Sequence, residues 1–431
     1  MYIYYRDSKI YIISDTPLVV PEYKHIFSPG LKIKPNDLLM NYKVFENKLV
    51  SADHKLNPLT AKIAFISVWG ITCGISTYSQ YLVNEMAKIN PNIKIFSEDG
   101  DGQTYNFPNL VRCWKRGESL ERLIKEIHAY SPDVIYIQHE YGIFPDARKW
   151  SRLISALHKY KTFITLHSVY KHKDKAVCEA ICKNLIVHTH LAKQILEEKG
   201  ITSEINVIPH GCSLFEETSR LWNIYKTPHT LVQFGFGFEY KGWDVALKAI
   251  SILKEKYPDI FYQILFSESG FSKGYHDVQY SKLTKLIEEL GVEENVSIIR
   301  GFQSDASLCN FLRTARVAIF PYTANPEHIV YGSSGAARIA MANGTPTIVS
   351  NVPLFYDLKE TLPHVENAEE LAKEIDKLFS EPAYYKDIAK KESEFVQEHG
   401  WDITAKRYLA LIDRSYDDRT FNVSTNKAPH C

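Results

Sequence analysis

Short runs of β-branched and aromatic residues alternate with amphipathic stretches along most of this 431-residue chain. From Lys62 the order is regular. KIAFISV is a continuous apolar run of strand length, GITCGISTY is a loop of small residues, and STYSQYLVNEMAKI repeats its apolar positions at helical spacing. DVIYIQHEYG, TFITLHSVY and INVIPHG each predict a strand running into a loop, and NLIVHTH predicts a further strand. A second series begins near His229. TLVQFGFGFEYKG reads as strand and loop, WDVALKAISILKEKY as helix, and FYQILFSESG, VSIIRGF and VAIFPY as strands. In YGSSGAARIAMANGTPTIVS a helix opens on small residues and stops at Asn343-Gly344, so that TPTIVS can enter a sheet.

Strands alternating with helices predict parallel sheets covered on both faces. The fold class expected is therefore α/β, with two Rossmann-like doubly wound domains over residues 61–225 and 226–400, joined around 213–228. Such sheets bind ligands beyond the carboxyl ends of their strands, and two in tandem enclose a cleft suited to a substrate. Residues 1–60 differ. IYYRDSKIYII predicts a hairpin turning at Asp7-Ser8-Lys9, and YKVFENKLV a second about Glu46-Asn47, making a small β-rich extension of unassigned role. After Gly400, residues 401–431 predict a last helix, WDITAKRYLALIDRSY, packing back toward the first domain, and then a frayed tail.

Composition narrows the classes. Hydrophobic residues make up 45% and charged residues 24%, ordinary for a soluble globular protein. Lys and Arg total 51, as do Asp and Glu, which disfavours a protein that holds nucleic acid mainly by its phosphates. The seven cysteines include Cys178 and Cys182, four apart, with no second pair at metal-ligand spacing, so reduced thiols in the cytoplasm are expected. No signal peptide opens the chain, and no apolar run approaches the ~20 residues that span a bilayer. A membrane-bound substrate would be reached from the surface.

Five segments in order, ISVWGITCGISTYSQYL, DVIYIQHEYGIF, VIPHG, FGFGFEYKGWDVALKA and AMANGTPTIVS, together resemble the retaining GT-B glycosyltransferases of family four. The resemblance covers about 350 residues and implies two facing Rossmann-like domains. It also implies sugar transfer from a nucleotide-sugar donor, such as a UDP- or GDP-sugar, with no cofactor and no metal.

Gly74-Ile75-Ser76 stands at a strand-to-helix turn, where a backbone can approach phosphate or sugar closely; an ordinary tight connection is the alternative. His139 ends a strand, where an imidazole can hydrogen-bond a sugar hydroxyl or relay a proton, or merely cap a loop. The resemblance implies an active-site role for His139, with Glu140 orienting it or meeting the acceptor. His167 and Tyr141 are placed on the acceptor side. His188, His190 and His210 also lie near strand ends, without the helical spacing of a metal site. Lys241, between a strand and a helix start, suits a diphosphate leaving group, though loop lysines are commonly just solvated. Gly332-Ser333-Ser334-Gly335 presents free N–H groups to a diphosphate, and an ordinary Ser cap is compatible with that.

Two departures stand out. The family's Arg after the preceding strand's Gly is replaced by Phe236, leaving Arg338 or Arg300 as substitute cations for the diphosphate. The family's two Glu, eight apart, are replaced by Tyr331 and Ile339, and Glu327 is the nearby acid in a loop. The donor-binding set expected is thus Gly74, Ile75, Phe236, Lys241, Glu327, Gly332, Ser333, Ser334, Gly335 and Arg338. The acceptor is a glycan, a lipid-linked sugar or another hydroxyl, with modified DNA less favoured. A phosphorylase or epimerase on this fold, and a non-catalytic GT-B subunit, are the rival readings.

Overall fold

A computed structural model describes residues 2–6, 9–14, 24–27, 42–45, 48–51, 56–100, 107–173, 184–213, 227–268, 273–324 and 329–413. The chain divides into two compact units, Met1–Pro58 and Leu59–Cys431. In the first, β1 (Tyr2–Arg6) and β2 (Lys9–Ser14) form an antiparallel hairpin, and β3 (Lys24–Phe27) pairs with the other edge of β1. β4 (Tyr42–Phe45) and β5 (Lys48–Ser51) make the second hairpin. Both hairpins read from the sequence are present; their turn residues Asp7, Ser8, Glu46 and Asn47 lie outside the described residues.

The second unit holds two parallel sheets. The first contains β6 (Ile63–Ser67), β7 (Ile93–Glu98), β8 (Leu110–Trp114), β9 (Val134–His139) and β10 (Lys161–Leu166). After the two-residue β11 (Ser168–Val169) come β12 (Asn184–Val187) and β13 (Glu204–Val207), giving the order β13-β12-β10-β9-β6-β7-β8. Helices α1 (Gly74–Ile89), α2 (Glu121–Tyr130), α3 (Ala147–Ala156) and α4 (His190–Glu198) accompany it. The second sheet is built from β14 (Thr230–Phe236), β15 (Phe261–Ser267), β16 (Val296–Arg300) and β17 (Val317–Phe320). After the two-residue β18 (Tyr331–Gly332), β19 (Thr347–Ser350) and β20 (His364–Val365) complete the order β16-β15-β14-β17-β19-β20. Its helices are α5 (Trp243–Leu253), α6 (Lys273–Leu290), α7 (Asp305–Thr314), α8 (Gly335–Ala342), α9 (Ala368–Ser380) and α10 (Pro382–Glu398). A last helix, α11 (Trp401–Ala410), follows Gly400.

Every residue of β6, β9, β17 and β19 is buried. Strands covered on both faces must be apolar on both, which is why they read as continuous runs rather than alternations. Two of the links between the two halves frame the site. β11 pairs antiparallel with β18, Ser168 opposite Gly332 and Val169 opposite Tyr331. Helix α11 returns to the first half and packs on α1. There Tyr136 Oη donates to the Tyr408 carbonyl at 2.6 Å, and the hydroxyls of Tyr78 and Thr165 lie 3.0 and 2.9 Å from Tyr408 Oη. No helix among the described residues is long and apolar enough to cross a membrane.

Candidate active site

The carboxyl ends of both sheets open on one cavity of about 1120 Å³. Small-molecule clefts span roughly 300–1,000 Å³, so this one stands at the upper end of that range.

Lys241 reaches the cavity through a local device. β14 ends at Phe236, a 3₁₀ turn covers Glu239–Lys241, and Gly242 follows at φ 68°. A methyl group on Gly242 would lie 1.7 Å from the Pro321 carbonyl oxygen, so only glycine fits. Gln233 Nε2 donates to the Lys241 carbonyl at 2.7 Å and pins the turn from the floor of the sheet. Lys241 Nζ then donates to Tyr322 Oη at 2.8 Å and lies 4.0 Å from the centre of that ring. It has no carboxylate partner among the described residues, and burial pushes its pKa down to about 7.

The start of α8 forms the adjoining wall. Ser334 is its N-cap and accepts from the Ala337 amide. Ser333 Oγ donates to Asp357 Oδ2 at 2.9 Å, which turns its proton away from the cavity. Arg338 is 1% exposed. Its guanidinium is committed to Asp357, to the Ser334 carbonyl at 3.1 Å and to the His210 carbonyl at 3.2 Å. Arg300 pairs with Glu268 and Asp277 outside the cavity lining. Neither arginine is thus an uncommitted cation for a diphosphate, and Lys241 is the cation this wall offers.

His139 and Glu140 part company. All six residues of β9 are buried, and His139 at its end is 1% exposed, with neither ring nitrogen partnered among the described residues. Its ring lies 4.6 Å from Trp150, 5.1 Å from Tyr141 and 6.0 Å from Phe144, and burial lowers its pKa to about 3. Successive side chains leave a strand on opposite faces, so Glu140 takes the cavity side and His139 does not. His139, expected to meet the substrate, lies outside the cavity lining, in an aromatic box behind the wall. Glu140 lines the cavity, accepting from Ser168 Oγ at 2.6 Å and from the Tyr141 amide at 2.9 Å.

Beneath the cavity, His167, His188 and His210 ring Tyr78 at centroid distances of 4.6, 5.3 and 5.0 Å, with Trp401 at 4.9 Å. His188 Nδ1 donates to the Ile208 carbonyl at 3.0 Å, and its Nε2 lies 3.3 Å from His167 Nδ1. Burial depresses all three imidazoles below their ordinary range, His188 to about 4.

Of the remaining expected residues, Gly74, Ile75, Phe236, Ser334, Gly335 and His167 line the cavity. Gly74 opens α1 rather than lying in the loop, and the left-handed turn before it is made by Gly70 at φ 69°. Gly332 is required by the inter-half pairing instead, since a methyl there would lie 2.6 Å from the His167 carbonyl oxygen. Tyr141 stands outside the lining, edge-on to Tyr170 at 5.5 Å. Glu327 lies outside the described residues. Sequence reasoning missed Tyr322, Asp357, Lys173 and Trp401. Tyr322 stands two residues beyond the end of β17 and was findable by its place at a strand's carboxyl end; Asp357 and Trp401 reach the site only through the fold.

Residues 72–214 match the model of Glycosyltransferase Family 4, and residues 215–395 that of Glycosyl transferases group 1. A glycosyltransferase from Rickettsia africae superposes with a TM-score of 0.63 at 18% identity, over 83% of this chain and 99% of that one. Anabaena HepE in complex with UDP and glucose gives 0.62 at 14% identity, over 83% and 100%. The chain has the GT-B fold and resembles the glycosyltransferases of family four. An uncharacterised glycosyltransferase of Haemophilus influenzae is 24% identical over 251 residues, 55% of this chain. The match spans 63% of that relative's length. Within this GT-B protein the two departures from the family pattern are visible in the wall itself, where Phe236 and Ile339 both line the cavity as apolar surface.

Proposed function

We propose that this chain transfers a sugar from a nucleotide sugar to an acceptor hydroxyl with retention of configuration and without a metal. The observation that carries the reading is Lys241, a cation without a carboxylate partner among the described residues, facing the cavity beside the start of α8. As the glycosidic bond to the donor breaks, negative charge collects on the leaving diphosphate. A desolvated ammonium and the unpaired N–H groups of a helix start both stabilise that charge more in the transition state than in the ground state. The Glu140 carboxylate, held by Ser168, would accept from the incoming hydroxyl on the other wall. HepE is described in complex with UDP-glucose, which makes a UDP-sugar the first donor to try.

The test is a thermal-shift panel of UDP-, GDP- and ADP-sugars, followed by measurement of nucleotide release with glycan acceptors. A stabilising donor whose turnover falls at least 100-fold in Lys241→Met supports the reading; a panel without any stabilising nucleotide sugar overturns it. Phe236, Ile339 and the recessed His139 favour a second reading, a GT-B protein that binds a donor without turning it over. Stabilisation without nucleotide release, from any acceptor, would select it.

A further inference from the structure

His210 ends the segment VIPHG and has a polarity fixed by its neighbours. A carbonyl oxygen can only accept, so the 2.8 Å contact between Nδ1 and the Gly211 carbonyl places the proton on Nδ1. In the neutral ring Nε2 is then a bare lone pair. That nitrogen has no hydrogen-bond partner among the described residues, and His210 lines the cavity. Tyr78 and Trp401 pack the ring at 5.0 and 5.2 Å and hold its orientation. Burial, with Arg338 and His188 adding to it, keeps the imidazole uncharged.

Gly335 explains why the lone pair is open. A methyl group there would stand 3.2 Å from His210 Nε2 and cover it. Of the other polar groups at this start of α8, Ser333 gives its proton to Asp357, Ser334 caps the helix, and Arg338 has only donors. One turn further on, the wall is Ile339. A ligand with vicinal hydroxyls bound at this end therefore meets His210 Nε2, an acceptor with no hydrogen-bond partner among the described residues.

Building on the donor reading above, we propose that His210 is a ligand-contacting residue whose Nε2 accepts a hydrogen bond from a sugar hydroxyl of the bound nucleotide sugar. The hydroxyl belongs either to the ribose or to the sugar being transferred, and the two are separated by comparing a nucleoside diphosphate with its sugar.

The experiment measures dissociation constants of UDP and UDP-glucose, or of whichever pair stabilises the wild type, for wild type, His210→Asn, His210→Gln and Gly335→Ala. Asn keeps a donor at the Nδ1 position and the contact to Gly211 but has nothing at Nε2; Gln reaches the Nε2 position. Expected are an unliganded Tm for His210→Asn within about 2 °C of wild type and a roughly tenfold loss of nucleotide-sugar affinity, the scale of one hydrogen bond, partly restored in His210→Gln. Gly335→Ala, which leaves His210 in place, is expected to lose affinity similarly. Loss for both ligands assigns the ribose; loss for the sugar-bearing ligand alone assigns the transferred sugar. Unchanged affinity in both His210→Asn and Gly335→Ala overturns the role of His210 while leaving the donor reading standing. A wild type that binds no nucleotide sugar overturns both.

Discussion

At the scale of single residues, Lys241 carries a sign that solution work can read. Its pKa of about 7 lies far below the roughly 10.4 of a free lysine because burial disfavours the ammonium. A diphosphate beside it raises that pKa again, so donor binding takes up a proton at pH values above 7. Donor affinity is expected to be flat below pH 6.5 and to weaken on the order of tenfold by pH 8.5, with the dependence abolished in Lys241→Met; titration calorimetry at the two pH values checks it. For stability the sign is opposite. The unfolded chain binds the extra proton between pH 7 and 10, so this group's contribution to folding improves as pH rises through that window. Lys241 was legible in the sequence because its setting is local, a strand, a turn and a glycine within a few residues. The facing of His139 was not, since it depends on the parity of one strand end against the sheet. The commitment of Arg338 to Asp357 was hidden for a similar reason: the partner lies 19 residues away and meets it only in the folded wall.

At the scale of elements, the turn from β14 into α5 is the part on which the cation depends. Gly242→Ala would force a side chain against the Pro321 carbonyl and into a left-handed backbone conformation. It is expected to cost at least about 2 kcal/mol, read as a lower urea midpoint, and to weaken donor binding as Lys241 is displaced. The long buried strands were legible because a two-faced core demands apolar residues at every position. β7 and β8 escaped notice because IKIFSE and LVRCW mix charge with apolar residues near the sheet edge. The pairing of β11 with β18 had no sequence signal at all. Two residues from each half form it, and what permits it is the missing side chain of Gly332 under the His167 carbonyl.

At the scale of the whole second unit, its first sheet is finished by its last helix. Tyr408 receives hydrogen bonds or contacts from Tyr78, Tyr136 and Thr165, and Trp401 fills the space that Gly211 leaves, 2.4 Å from where a methyl would stand. Trp401→Ala is expected to destabilise the protein by about 3–5 kcal/mol, measured by denaturant unfolding, and to loosen the floor under His210. The amphipathic pattern predicted this helix; which residues it would complete was visible only in the fold. There is a consequence for manufacture in the cell. Tyr136 and Tyr408 are 272 positions apart. At the roughly 5–20 residues per second of translation, β9 leaves the ribosome some tens of seconds before the helix that satisfies it. During that interval the nascent first domain carries an unfinished aromatic face, and a prematurely terminated chain keeps it for good, the kind of exposed apolar surface that makes partly folded chains prone to aggregate.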